Sequence, residues 1–409
     1  MNKYLFLLFL FIACNQNPFV NEQKDYELSG LQTNCDDTSD NCIDLVECGD
    51  NNSNCKFITL NENITSVGND ILLTQNNNFL VTGYQKNNGE ALIWIELINE
   101  DGTSISNSVG GTNTDYGFDA IELDNGNFLI LGSTNSYGEG DFDIIIYKLN
   151  SQLEQIDYFT LGSTNYDGAA SFIKTFDNNF LILSSSRPIN SGNYNIVIDK
   201  IDSEGNMVKN EEYEELHYSI GNDYEQLGHH IIELQDSTIF FSGYSQSDRN
   251  TKGLWFGKLD ANYNIVCQDN FGQGDFSNFT SKMIEIPDTD QIIIAGTYND
   301  DLIIANIDTE CNVNWEKYFG SEKNEVFTSM VYNNGIIVSA ISKDDDDKEF
   351  IWLFKVDDFG NLLWEKKIEH ENDIRGFDLI NNNNESITLT GSYIDKNNLK
   401  AYYLTISLP

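Results

Sequence analysis

The sequence predicts an all-β fold, and three observations carry this prediction. A short apolar strand that ends in a small residue recurs along the 409 residues. Each copy lies between a turn rich in Asn, Asp and Gly and a second segment of β-branched and aromatic residues, which is typical of strands and turns. No segment shows the 3.6-residue periodicity of an amphipathic helix. The small residues that end the copies are Gly83, Gly132, Ser184, Gly243, Gly296, Ala340 and Gly391.

The spacing of these copies predicts the architecture. Successive small residues are 49, 52, 59, 53, 44 and 51 positions apart. Each unit holds four short strands, which is typical of a β-propeller blade. Blades stack radially, because one blade cannot bury both of its faces alone. We therefore predict a seven-bladed β-propeller of four-stranded blades rather than one of six or eight blades.

The two ends of the repeat region predict how the ring closes. The last repeat supplies three strands and ends with the apolar segment 401–406, so its blade lacks a fourth strand. The segment 56–60 is left over before the first complete repeat. Pairing of these two segments completes the seventh blade and protects its strand edge. We assign residues 55–409 to the propeller.

The first residues, MNKYLFLLFLFIAC, form a separate region. An apolar run over 4–12 is shorter than the roughly 20 residues that span a membrane and fits the core of a signal peptide. Ala13 then lies directly before Cys14. The stretch resembles a bacterial lipoprotein signal, with Phe11 where Leu is usual. The resemblance implies a signal peptide over 1–13, palmitate and other lipid on Cys14, and an outer-membrane anchor. An ordinary secretory signal is the alternative.

Residues 14–54 are polar and are predicted to form a tether that holds several of the cysteines. The tether lacks the CxxC pairs and histidines typical of metal sites. Outside the cytosol, the four cysteines Cys35, Cys42, Cys48 and Cys55 favour two disulfides, for which three pairings are open. Cys267 and Cys311 lie near the outer strands of adjacent blades, and the sequence leaves a disulfide between them and two separate buried thiols as equal alternatives.

The charge excludes one class of partner. The chain has 23 Lys and Arg against 65 Asp and Glu, a formal net charge of −42. Nucleic acids are bound through Lys and Arg that displace counterions from phosphates, so a nucleic-acid-binding function is excluded. Disorder is not indicated, because 40% of the residues are hydrophobic and 12% are aromatic. The acidic residues are distributed over every repeat, which predicts a soluble disc that attracts cationic partners at short range.

The repeats resemble the propeller repeats of secreted proteins and lipoproteins of bacteria, especially Bacteroidetes. In one blade the segments 124–127 (DNGN), 132–134 (GST) and 148–150 (KLN) carry the resemblance. It covers about 56–409 and implies the fold, but it implies little about function.

A second resemblance concerns one turn. The spacing Asp-x-x-Gly-Asn-x-x-Trp over 357–364 is similar to the docking motif of quinoprotein-like propellers, including the propeller lipoprotein of outer-membrane protein assembly. This similarity implies a scaffold role. Other blades depart from the motif, with Cys267 at the Trp position of blade four, and residues that would contact a pyrroloquinoline cofactor are not found in the sequence.

An acidic residue recurs just before the first strand of most blades. In a propeller these positions surround the mouth of the central channel, where carboxylates could hold Ca²⁺ or attract cationic groups. The structural alternative is a brace, in which each carboxylate accepts backbone N–H groups of its own loop. No cofactor or resident metal is otherwise predicted. The residues are Asp70, Asp115, Asp167, Glu225, Asp275, Glu325 and Asp373.

A few residues break the repeat on the inner strands, where a channel site would lie. His229 and His230 are adjacent in the first strand of blade four, and Lys282 and Arg375 lie in the first strands of later blades. Adjacent residues of a strand point to opposite faces, so both histidines are not expected to bind one metal. The acidic run 344–347 lacks the ligand spacing of a calcium loop and is expected to be solvated.

These features predict an exported, lipid-anchored propeller that acts as a non-enzymatic binding or scaffold module on the bacterial envelope. It faces the periplasm or the surface, alone or within an envelope complex, and its expected partner is an envelope protein or a glycan. The alternatives are an outer-membrane assembly or secretion accessory factor, and a glycan hydrolase or lyase that uses carboxylates at the channel mouth. Tyrosines placed for glycan stacking, or equally for packing between blades, are Tyr116, Tyr137, Tyr166 and Tyr224.

Overall fold

The computed structural model describes part of the chain as strands and the turns between them. The described residues are 44–46, 55–61, 64–87, 89–187, 193–208, 217–220, 225–246, 252–271, 280–383, 385–396 and 398–408. Within these ranges the chain forms 29 strands, β1 to β29 in chain order. None of the same ranges contains a helix long and apolar enough to cross a membrane.

The strands form seven antiparallel blades that follow one another along the chain, which confirms the predicted seven-bladed β-propeller. The blades are, in order, β3 (Thr65–Leu73), β4 (Phe79–Asn87), β5 (Glu90–Ile98) and β6 (Ser104–Val109); β7 (Asp115–Glu122), β8 (Phe128–Thr134), β9 (Asp143–Leu149) and β10 (Gln155–Leu161); β11 (Asp167–Lys174), β12 (Phe180–Ser186), β13 (Asn195–Ile201) and β14 (His217–Ile220); β15 (Gln226–Glu233), β16 (Ile239–Gln246), β17 (Lys252–Leu259) and β18 (Ile265–Phe271); β19 (Ser281–Glu285), β20 (Gln291–Tyr298), β21 (Asp301–Asp308) and β22 (Val313–Phe319); β23 (Val326–Tyr332), β24 (Ile336–Lys343), β25 (Glu349–Val356) and β26 (Leu362–Ile368); and β27 (Ile374–Asn383), β28 (Ser386–Asp395), β29 (Asn398–Ser407) and β2 (Cys55–Thr59).

The first strand of each blade is the innermost one. First strands of successive blades contact one another all the way round, from β3 through β27 and back to β3. They therefore form the wall of a central channel. The second strand of each blade is the apolar repeat segment, and the seven small residues found in the sequence all lie in these second strands.

The ring closes as the sequence predicts. β2 pairs antiparallel with β29, with Cys55 opposite Ile406 and Thr59 opposite Tyr402. The strand is thus the fourth strand of blade seven, although it precedes blade one in the chain. Both ends of the propeller sequence are held in one sheet.

The core lies between the blades rather than within any one of them. Ile93 and Ile95 of blade one pack with Ile130 and Ile145 of blade two, and all four are fully buried. Burial of one such side chain contributes about 1.5–3 kcal/mol. Because second and third strands are covered on both faces, they are near-continuous apolar runs, as in the fully buried β8.

A short strand lies within the predicted tether, before the propeller. β1 (Asp44–Val46) pairs in parallel with the outer strand β26 of blade six, with Asp44 opposite Lys366 and Val46 opposite Ile368. An outer strand offers backbone groups that another strand can pair with, whatever the side-chain pattern of that strand. Side-chain alternation therefore could not reveal β1.

A disulfide connects two neighbouring blades. Cys267 of β18 and Cys311, in the turn before β22, are bonded with their Cα atoms 6.0 Å apart. The structure thus selects the disulfide from the two alternatives left open by the sequence. Cys55 is also disulfide-bonded, whereas Cys35, Cys42 and Cys48 lie outside the described residues.

We expect the variant Cys267→Ala/Cys311→Ala to lose about 2–4 kcal/mol of the free energy of unfolding, because the bond restricts the unfolded chain. Denaturant unfolding under oxidising conditions measures this. One replacement already breaks the bond, so Cys267→Ala alone should lose most of the same free energy. If Cys267→Ala and Cys311→Ala each lost part of this free energy and the two losses added up in the double variant, this account would be wrong.

Candidate functional site

Seven residues at matching positions of the inner strands form what we call the central ring. In six blades the first strand carries a β-bulge, and the residue that follows it pairs with the residue just before the small repeat residue of the second strand. In blade five, Lys282 of β19 pairs with Ala295, which also directly precedes the small repeat residue, so Lys282 belongs to the same set. The members are Asp70, Asp119, Ser171, His230, Lys282, Ser329 and Asp378.

Lys282 connects non-neighbouring blades across the channel. Its Nζ lies 2.9 Å from Oδ1 of Asp378, two blades away, and donates to Oγ of Ser329 at 3.0 Å. Ser329 Oγ donates to the same Asp378 oxygen at 2.8 Å. The side chains of Lys282 and Asp378 are 24% and 13% exposed, so some solvent-accessible space remains beside the pair.

The other two carboxyl groups of the central ring have no lysine of their own. Asp119 accepts the backbone N–H of Phe172 at 2.9 Å, but burial outweighs this and raises the pKa of Asp119 to about 7. Burial also raises the pKa of Asp70 well above its ordinary value, and the charges of Asp119 and Asp378 raise it further. The ring therefore contains carboxyl groups in two different protonation regimes.

The two adjacent histidines reach the same neighbouring strand. Nδ1 of His229 lies 3.2 Å from Oγ of Ser281, and Nδ1 of His230 accepts the backbone N–H of Met283 at 3.3 Å. The expectation that they point to opposite faces is wrong at this site, because His229 occupies the bulge between Gly228 and His230. Burial lowers the pKa of His229 to about 4 and that of His230 to about 3, so both are neutral at neutral pH.

Three of the recurring acidic residues are braces of their own loops. Asp115, Asp167 and Glu325 are almost fully buried, and each accepts the backbone N–H of the residue four positions earlier, at 2.8, 2.6 and 3.1 Å. Hydroxyl groups add to each brace, as Ser136 and Thr134 do for Asp115. These carboxylates satisfy buried loop donors rather than lining an open site.

The other members of the acidic series do not share this geometry. Asp70 lies inside β3, in the central ring, and the position that corresponds to Asp115 in blade one is taken by buried Ser66. Asp373 accepts the backbone N–H of Glu349, the first residue of β25 in blade six, at 3.0 Å. Glu225 immediately precedes β15, and Asp275 lies outside the described residues. Across the described ranges, no three His, Cys, Asp or Glu residues are arranged to hold a metal ion.

Further candidates from the sequence are engaged with their neighbours. Arg375 makes a bidentate ion pair with Glu349. Asp344 accepts the backbone N–H groups of Asp346 and Lys348, while the rest of the acidic run is exposed.

The tyrosines at the loop tips pack mainly against other aromatic rings. Tyr116 contacts Tyr84 and Phe142, and Tyr166 contacts Phe142 in turn. Tyr137 contacts Tyr158, and Tyr224 lies outside the described residues. Tyr116 thus packs between blades one and two, the alternative to glycan stacking, whereas Tyr137 packs within blade two.

The sequence does not identify Asp119, Ser171, Ser329 and Asp378, because their shared position depends on how the strands pair in the assembled channel. A signal for two of them exists, because Gly117-x-Asp119 and Gly376-x-Asp378 repeat the Gly-x-polar spacing that also precedes Asp70 and His230. That spacing is the sequence trace of the bulge.

Comparison with known proteins agrees with this fold. No protein-family model matches the sequence, and no curated protein matches it. Among solved structures, the WD40 domain of Neurospora crassa Pan2 is similar over 88% of this chain and 97% of its own, with a TM-score of 0.52 and 11% identity. A puromycin hydrolase is similar over 80% of this chain, with a TM-score of 0.54 and 9% identity; the match spans 50% of that enzyme.

A protein of unknown function from Dyadobacter fermentans is also similar, over 87% of this chain and 98% of its own, with a TM-score of 0.49 and 10% identity. At these identities the likeness concerns the fold alone. By its fold, then, the chain is a β-propeller protein, an architecture that is compatible with a binding or scaffold module.

We expect Asp115→Asn to lower the free energy of unfolding by about 1–3 kcal/mol, because its amide N–H₂ would face donors that now bond to a carboxylate. Thermal unfolding with and without Ca²⁺ measures this. The exposed Asp345→Asn is the matched control and should leave stability unchanged. If Ca²⁺ stabilised the wild-type protein but not Asp115→Asn, these carboxylates would be metal ligands and not only braces.

Proposed function

We propose that this chain is an exported, lipid-anchored β-propeller that acts as a non-enzymatic binding or scaffold module on the bacterial envelope. The observation that carries the proposal is that three of the carboxylates predicted at the channel mouth are committed to structure. Asp115, Asp167 and Glu325 brace their loops. An enzyme that used these groups would need them facing a substrate.

The covalent chemistry supports export. The Cys267–Cys311 disulfide and the bonded Cys55 fit an oxidising compartment outside the cytosol. The N-terminal run that ends in Ala13-Cys14 supports a lipid anchor on Cys14. Together they favour an outer-membrane lipoprotein that faces the periplasm or the cell surface.

The surface favours a protein partner with basic groups. Most of the formal net charge of −42 falls in the propeller region, residues 55–409, and such a surface steers cationic partners within about 8 Å at physiological salt. Tyr116 and Tyr166 are occupied by contacts with the rings of Tyr84 and Phe142, which leaves less aromatic surface for stacking on a sugar. The partner we propose is therefore an envelope protein.

Crosslinking of intact cells followed by capture of the full-length lipoprotein tests this proposal. We expect the protein in the outer-membrane fraction, with envelope proteins crosslinked to it and fewer of them recovered at high salt. The matched control is Cys14→Ser, which should lose fatty-acid labelling and leave the membrane fraction while it keeps its melting temperature.

Two results would contradict the proposal. Labelling and membrane association that Cys14→Ser does not change would overturn the lipid anchor. Recovery of the protein alone, at low and at high salt, would overturn the protein partner. Capture of outer-membrane proteins together with their assembly machinery would instead indicate the accessory-factor alternative.

A glycan-active enzyme is the second candidate, and one observation favours it. Burial raises the pKa of Asp119 to about 7, which suits a general acid at neutral pH. This candidate predicts depolymerisation of an envelope glycan by the wild-type protein and at least a 100-fold loss of rate in Asp119→Asn. Activity that survives in Asp119→Asn would exclude this residue as the catalytic acid.

A further inference from the structure

Two carboxyl groups meet where the ring closes. Asp70 belongs to β3 of blade one and Asp378 to β27 of blade seven, and these are the blades joined by ring closure. Oδ2 of Asp378 lies 3.4 Å from the backbone nitrogen of Ile71, the residue next to Asp70. The Asp70 side chain itself lies within hydrogen-bonding reach of Asp378.

Oδ2 of Asp70 has no donor to accept from. This oxygen is buried and lacks a hydrogen-bond partner in the structure. An ionised carboxylate would then be buried with an unsatisfied acceptor, which is costly. A carboxylic acid at this position could donate to a neighbouring carboxylate instead.

The groups that face Asp70 give a surplus of negative charge. β27 contributes Asp378, β7 contributes Asp119 and β19 contributes Lys282. If all three carboxyl groups were ionised, the cluster would carry 1 − 3 = −2. β4 and β28 contribute threonines here: Thr82 lies opposite Asp70, and Thr390 lies beside Gly68. His230, from β15, is neutral.

Asp378 is the member of the pair that stays ionised. Burial alone would raise its pKa, but the charge of Lys282 and the hydrogen bonds from Lys282 and Ser329 hold the pKa of Asp378 below its ordinary value. Lys282 also acts to lower the pKa of Asp70, but burial and the charges of Asp119 and Asp378 outweigh it.

We propose that Asp70 is protonated at neutral pH and donates its proton to the Asp378 carboxylate, which makes the joint between blades one and seven a proton-dependent lock. On deprotonation the proton goes to solvent, and two carboxylates then face each other beside Asp119. Their repulsion loosens the joint. The lock holds the ring closed in acid and at neutral pH and releases it in alkali.

The sign of the pH dependence follows from linkage. Because the proton is bound more tightly in the folded protein, the stabilisation is complete below the ordinary carboxyl pKa and is lost as pH rises through the raised pKa of Asp70. The neutral histidines act in the opposite direction, since they cost stability only as pH falls below about 6.5. Asp119, whose pKa is raised to about 7, changes stability in the same direction as Asp70 but is present in both proteins. Comparison of Asp70→Asn with the wild type at each pH therefore isolates the contribution of Asp70 from those of Asp119 and the histidines.

The test is the melting temperature of the full-length chain between pH about 5 and about 9. Asp70→Asn keeps an N–H donor toward Asp378 but cannot ionise. We expect the wild-type protein to lose several degrees relative to Asp70→Asn as the pH rises, and the two to converge in acid. Asp124→Asn, an exposed carboxyl 80% accessible, is the matched control and should follow the wild type. A difference between wild type and Asp70→Asn that does not change with pH would overturn the lock.

Infrared spectroscopy gives a second readout that does not depend on stability. The wild-type protein should show a carboxylic-acid C=O band at neutral pH that weakens in Asp70→Asn. In Asp378→Asn, without the facing charge, the band should titrate at lower pH than in the wild type. A band that neither variant changes would overturn the proposal, even if Asp70→Asn folded poorly.

Discussion

Burial of the blade faces against one another is the constraint on which the rest of the structure depends. Each blade is apolar on both faces, so no blade can bury both faces on its own. Side chains such as Ile93 and Ile145 are buried only by contacts across a blade interface. The ring must therefore close completely. Pairing of β2 with β29 provides that closure by holding the two ends of the propeller sequence in one sheet.

Closure also creates the chemistry of the channel. The inner strands converge so tightly that Lys282 of blade five reaches Asp378 of blade seven, and carboxyl groups from blades one and two crowd the same space. One lysine cannot neutralise three carboxyl groups. The pKa values of Asp70 and Asp119 rise because their burial is imposed by the fold, not because either residue is unusual in its own blade.

The repeat pattern predicted the fold well, because the small residue, the turn and the apolar strand are local features of each blade. It was less reliable for the site. The sequence places Asp70 with Asp115, ahead of an apolar strand. In the strand pairing, however, Asp70 lies at the level of Asp119, and Ser66 takes the level of Asp115. The bulge likewise brings His229 and His230 to one neighbouring strand, which strict alternation forbids.

The sequence by itself determined the all-β class, the number of blades, the order of strands and the strand that closes the ring, since each depends on periodicity and on burial that every repeat needs. Only the tertiary structure decided which polar side chains meet. The Cys267–Cys311 disulfide, the Lys282–Asp378 ion pair and the Asp70–Asp378 contact join different blades. Such pairings depend on distances across the ring, which the order of the residues along the chain does not give.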